Sequence, residues 1–282
     1  MEKIDMNLKV GLQLYTVRQS MEKDFEGTLR AVRDMGYEYV ELAGYFGKSS
    51  EEIKKTLDEL GLKCVSVHQK PDFFDEDFDA KVDFLRGFGT KYAIIPWYDK
   101  SKLAGSAVWE DTKEYFRTLA DKLAARGMML GYHNHDFEFE KHDGKYLHDY
   151  IFEAIDADKI MPEIDTCWVR YAGLDPAEKL RQFKGRVPIV HLKDFKCKNL
   201  AQGPVYDLIG TDGKPAPAAS KEDNEFEFRP VGYGMQDFKS ILEACEECGT
   251  EIVIVEQDKT YDKTELEAAR LSREYLKNTF GI

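Results

Sequence analysis

Residues 128–139, MMLGYHNHDFEF, start as an apolar run and stop on His133, Asn134 and His135. A buried run normally gives way to a turn; here it gives way to side chains that bind metals and move protons. Strand side chains alternate between two faces, so Gly131, His133 and His135 share one. Two imidazoles therefore project from the same side of one strand end. A lone histidine in such a place is more often a hydrogen-bonded core residue. The balance changes when other strands end in the same manner, and three later ones do.

Outward from this stretch, short apolar runs alternate with amphipathic segments joined at glycines or polar clusters, the pattern of a parallel sheet. The predicted strands are VGLQLYTV (10–17), YVELAG (39–44), KCVSVHQ (63–69), YAIIPW (92–97), the opening stretch, KIMPEIDTCW (159–168), RVPIVHLKDF (186–195) and EIVIVEQD (251–258). Helical segments follow them. SSEEIKKTLDELG opens on a serine cap and closes at Gly61, and DPAEKLRQFKG carries Pro176 in its first turn. Eight such units in a chain of 282 residues predict an α/β protein, a (β/α)8 TIM barrel formed as one domain over 1–282. An open doubly wound sheet would carry a glycine fingerprint after its first strand, and QLYTVRQS has none.

One segment interrupts the rhythm. Residues 196–228, KCKNLAQGPVYDLIGTDGKPAPAASKEDNEFEF, are polar and rich in Gly, Pro and Asp. An excursion of that length leaving strand seven is either a lid over the carboxyl mouth of the barrel or a passive insertion.

The charge balance limits the partners. With 53 Asp and Glu against 40 Lys and Arg, the chain carries a formal charge of -13, which opposes binding to nucleic-acid backbones. No apolar run reaches membrane-spanning length and the amino terminus lacks a signal-peptide pattern, so a cytoplasmic protein without membrane contacts is expected. Five cysteines without framework spacing read as free thiols. Cys245 and Cys248 lie in a helical pattern and read as packing. Homo-oligomerisation is left open.

His133, Asp165, His191 and Glu256 stand at the ends of four successive predicted strands, each after an apolar run. Two imidazoles and two carboxylates suit a divalent ion, with Mn, Co, Zn, Fe and Mg not distinguished. Each acid taken alone reads as a loop charge; four together read as a site. Around them, Glu256, Glu163 and His135 are candidate bases, and Lys193 either steadies an oxyanion or forms a salt bridge with Asp194 or Asp258. Glu41 and His68 point to the same mouth as candidate substrate-binding groups. Trp97 and Trp168 are candidate floors for a sugar ring, although each reads more readily as barrel or interface packing.

The phrases PEIDTCWVRYAGLDP, GRVPIVHLKDF, RPVGYGMQDF and IVIVEQD, in this order, resemble the xylose-isomerase-like TIM-barrel superfamily of sugar-phosphate isomerases and epimerases. The resemblance covers nearly the whole chain outside 196–228. It implies a divalent metal at the barrel mouth held by Glu, Asp, His and Glu from strands five to eight. Asp165, His191 and Glu256 fall on the last three positions. The first departs: His133 stands where relatives carry the glutamate, with Glu138 as the alternative ligand, and Tyr233 stands where relatives often carry another Glu.

The resulting expectation is a metal-dependent isomerase or epimerase of a sugar or sugar derivative, acting by proton abstraction next to a carbonyl through a metal-stabilised enediolate. The alternative keeps the site but expels a β-substituent, giving a dehydratase of an inosose or a lyase of a 3-keto-glycoside. An abasic-site endonuclease and a non-catalytic sugar-binding barrel complete the set, the former opposed by the negative charge.

Overall fold

The computed structural model describes residues 6–201 and 224–282. Eight parallel strands close a barrel: β1 (Lys9–Gln13), β2 (Tyr39–Leu42), β3 (Lys63–His68), β4 (Tyr92–Ile95), β5 (Met129–His133), β6 (Ile160–Asp165), β7 (Ile189–Leu192) and β8 (Ile252–Val255). Closure is made where β1 pairs with β8, Lys9 opposite Ile252 through Leu12 opposite Val255. Further round, His133 lies opposite Glu163 and Asp165 opposite His191. This register seats His133 beside Glu163 and Asp165 beside His191 where β5, β6 and β7 end.

Period-2 alternation divides the strands between two cores. Outward residues such as Leu12, Val40, Val67, Ile95, Leu130, Val190 and Val253 are buried under the helical layer, each such aliphatic contributing roughly 1.5–3 kcal/mol. Inward residues at the amino end, Ile94, Met161, Ile189, Ile252 and Ile254, form a separate apolar plug. Glycines make room for it. A Cβ on Gly11 would lie 2.5 Å from Ile254 Cδ1, and one on Gly131 would lie 3.0 Å from Ile94 Cγ1. Above the plug the inward positions turn polar, and that change of chemistry along one barrel axis positions the site.

The helices start and stop where the side chains require. Ser49 and Glu52 form a reciprocal cap on helix Ser50–Leu60, which ends at Gly61 in the left-handed conformation; Thr264 and Glu267 do the same for Glu265–Phe280. All eight strands are shorter than the predicted runs, and two of them show why. The first gives way at Leu14 to a 3-10 turn, and the sixth stops at Asp165, whose side chain accepts from the N–H groups of Cys167 and Trp168 and starts a helix there.

Residues 202–223, the centre of the expected lid, lie outside the described residues. Its two ends are described: Asp194–Lys196 pairs antiparallel with Glu227–Arg229, and Phe195, Phe226 and Phe228 pack with Trp168 and Tyr171 in a small apolar cluster. No helix among the described residues is long and apolar enough to cross a membrane.

Candidate active site at the carboxyl mouth of the barrel

The lowest polar layer is built around Glu41. Its carboxylate accepts from Gln13 Nε2 at 2.6 Å and from Ser66 Oγ, and lies 2.8 Å from His191 Nε2 and 3.0 Å from His68 Nε2. Burial alone would protonate Glu41, but His68 and His191 outweigh it and hold the carboxyl well below its ordinary range. Glu163 Oε2 is the second hub, 2.7 Å from His68 Nε2, 3.1 Å from His133 Nδ1 and 3.2 Å from His191 Nε2. Both acids are fully buried, and neither lines the open cavity above. They sit beneath the cavity and face the rings of histidines.

Each hub fixes an imidazole. With Nδ1 of His133 held by Glu163, its Nε2 turns toward Asp165, 3.7 Å from Oδ2. With Nε2 of His191 held by Glu41, its Nδ1 turns toward Glu256, 3.0 Å from Oε2. A carboxylate behind a histidine fixes the ring's orientation and raises its basicity toward whatever lies in front. The ligand atoms of His133, Asp165, His191 and Glu256 all lie within 4.8 Å of one another, and so do those of His68, His133, Glu163 and His191.

Asn134 ties the two strand ends together: Asp165 N donates to its Oδ1 at 3.0 Å and its Nδ2 donates to Asp165 O at 3.3 Å. Asp165 divides its own carboxylate. Oδ1 caps the following helix turn, while Oδ2 faces inward without a hydrogen-bond donor, although Lys193 Nζ lies 3.1 Å away. Burial raises Asp165 to about 6, with Lys193 pulling the other way.

Lys193 is not on the rim. Its ammonium lies 2.8 Å from Glu256 Oε2, 3.0 Å from Asp258 Oδ1 and 3.1 Å from Asp165 Oδ2, beneath the face of Trp168 at 5.3 Å. Burial would strip its proton, but the three carboxylates prevail and its pKa rises well above that of free lysine. Asp194, the next residue, turns away and accepts from the backbone N–H groups of Phe195, Gly232, Gly234 and Gln236. It anchors the 232–236 turn, including Tyr233, which is exposed at 53%.

Above these groups a cavity of about 330 Å³ opens, lined by Tyr15, His68, Trp97, His133, His135, Lys193, Glu256 and Asp258 among others. Burial, then the charge of Lys193, holds His135 well below the usual histidine range and favours its neutral form. His68 is the opposite case: burial lowers it, but Glu41 and Glu163 outweigh that and raise it to about 10. Trp97 lines this cavity, whereas Trp168 is buried under Phe226 and Phe228 and does not. Glu138 accepts from Tyr132 Oη and from His135 N, both at 2.8 Å. It belongs to neither candidate ligand group.

The donor set fits a divalent cation. Five carboxylates, Glu41, Glu163, Asp165, Glu256 and Asp258, are at most 4% exposed, and the Lys193 ammonium touches three of them, Asp165, Glu256 and Asp258. Glu163 Oε1 is buried without a hydrogen-bond donor, and such an orphaned acceptor is costly unless a cation or water satisfies it.

A closed parallel barrel whose carboxyl mouth gathers imidazoles, carboxylates and a buried lysine around a cavity defines an enzyme on a (β/α)8 scaffold. The chain belongs to the xylose isomerase-like TIM barrel family, whose model matches residues 29–279. An inosose dehydratase from Geobacillus thermodenitrificans is 25% identical over 93% of this chain and 91% of its own length. A crystal structure of a sugar phosphate isomerase/epimerase from Parabacteroides distasonis superposes with a TM-score of 0.75 at 22% identity, covering 96% of this chain and 94% of that one. The IOLI protein, whose crystal structure holds a zinc atom, superposes with a TM-score of 0.70 at 16% identity, covering 97% of this chain and 98% of that one. Of the two readings drawn from the sequence, these comparisons favour the dehydratase over the isomerase or epimerase.

Proposed function

We propose that this enzyme is a dehydratase of a polyhydroxylated ring ketone of the inosose type. What carries the reading is its similarity along nearly the whole chain to enzymes named for that reaction, and the mouth supplies the groups the reaction needs. His133, Asp165, His191 and Glu256 would hold a divalent ion. This set is preferred to the deeper one because it brings two carboxylates against one. Such an ion supplies Lewis-acid polarisation of the ketone and of the neighbouring hydroxyl oxygen.

The chain's own groups divide the proton transfers. His135 lines the cavity outside both ligand groups and is placed to take the proton from the carbon next to the ketone. The electron pair left behind moves onto the ketone oxygen, within the field of the Lys193 ammonium. When that pair returns, the hydroxyl on the next carbon leaves with its bonding electrons and takes a proton from His68, giving water and an enol. Glu41 and Glu163 act through the imidazoles they hold. Trp97 closes one side of the cavity over the ring.

The test separates base from ligand. His135→Asn should keep its metal, measured by elemental analysis of the purified protein, and lose consumption of an inosose by two to four orders of magnitude, the range expected for a general base. Retention of full turnover in that variant would remove His135 from the role, and failure of the wild-type protein to consume any inosose would overturn the reading.

A further inference from the structure

A second cavity adjoins the catalytic one. It has a volume of about 390 Å³ and shares Lys70 and Trp97 with the first as lining residues. Its walls come from the segment after β3, which contributes Lys70, Asp72 and Asp75, from the segment after β4, which contributes Trp97, Tyr98, Asp99 and Lys102, and from Tyr115 of helix Trp109–Ala125. Each cavity falls near the lower end of the roughly 300–1,000 Å³ range of small-molecule sites. A single polyol ring seated over His135 and Lys193 leaves the second space to something else.

The lining says what it takes. Trp97, Tyr98 and Tyr115 offer ring faces and edges, and Tyr98 is held edge-on against Phe116, centroids 4.8 Å apart. Tyr115 Oη donates to Asp75 Oδ1 at 2.7 Å, which fixes both groups. Asp99 Oδ1 accepts from Ser101 N at 2.9 Å and is likewise held in place. Three carboxylates against the ammonium groups of Lys70 and Lys102 leave the pocket net negative, so it does not select a phosphate. Aromatic faces beside hydroxyl acceptors and two donors suit the apolar face and hydroxyl rim of a neutral sugar ring.

Resting on the reading of the catalytic cavity as a ring-ketone site, we propose that this adjoining cavity is a glycosyl subsite, and that the preferred substrate is a polyol ketone bearing a glycosyl group. Binding of two unreactive probes tests it: myo-inositol, and a galactosyl-inositol that carries the second ring, each titrated calorimetrically into the metal-loaded full chain. The galactosyl-inositol should bind about tenfold more tightly, the increment of one good ring contact. Tyr98→Ala should remove that advantage while leaving the affinity for myo-inositol unchanged. Because Tyr98 also packs on Phe116, Asp72→Ala combined with Lys102→Ala, both on exposed side chains, serves as the second variant and should cut the advantage at least threefold. Equal affinities, binding of neither probe, or an advantage untouched by both variants would overturn the subsite. Whether a free inosose is dehydrated is read separately, so loss of the catalytic reading and loss of the subsite give different results.

Discussion

Glu41 and Glu163 have partners that the sequence does not announce, and the reason is physical. From period-2 alternation both face inward, which made one a substrate-binding group and the other a base. In the structure neither lines the cavity, and the Glu41 carboxylate and Glu163 Oε2 are met by Gln13, Ser66 and three histidines. Those contacts join strands 25 to 150 residues apart, which no local pattern carries. His133, Asp165, His191 and Glu256 were legible because a strand that ends in a ligand-type residue shows it in its own few letters. Glu256→Gln should lower kcat at least a hundredfold in steady-state assays, since the amide is a poor ligand and leaves Lys193 short of one counter-charge. Glu41→Gln should weaken metal binding by 10- to 100-fold in a chelator competition, the usual cost of removing the carboxylate behind a ligating histidine.

The elements show the same division. Strand count, helix caps and the glycine stops were readable from sequence, whereas the anchoring of the 232–236 turn by Asp194 was not, because three of its four N–H donors lie on a distant segment. Asp194→Ala should cost about 3 kcal/mol, since bonds to a buried carboxylate are worth more than neutral ones, and should lower Tm by several degrees in calorimetry. A Cβ on Gly234 would lie 2.4 Å from Phe195 O, so Gly234→Ala should reproduce much of that loss.

Helix Leu147–Glu153 offers a pH test. His148 is buried among Phe139, Phe152 and Phe183, and burial lowers it to about 4. Below the ordinary value of 6.5 the unfolded chain therefore binds a proton that the native state refuses. Stability should fall by about 3 kcal/mol as pH drops from 6.5 to 4 and should not change further on this account below that. His148→Leu should flatten that part of the profile in urea titrations.

At the scale of the whole molecule, an apolar plug, a polar layer and an open mouth follow one another along the barrel axis, and β5 to β8 bring the candidate ligand groups together at that mouth. The alternation of strands and helices made the barrel legible in sequence. The choice between isomerisation and elimination was not legible, because both begin with the same proton abstraction and differ in what leaves afterwards. The most direct measurement is therefore the mass and deuterium content of the product formed from an inosose in heavy water, with Mn²⁺, Co²⁺ or Zn²⁺ supplied in turn. The account predicts a product lighter than its substrate by one water and carrying solvent deuterium on carbon once the enol has become a ketone. A product that keeps every atom of the substrate, or one formed by hydride shift with no deuterium on carbon, would contradict it.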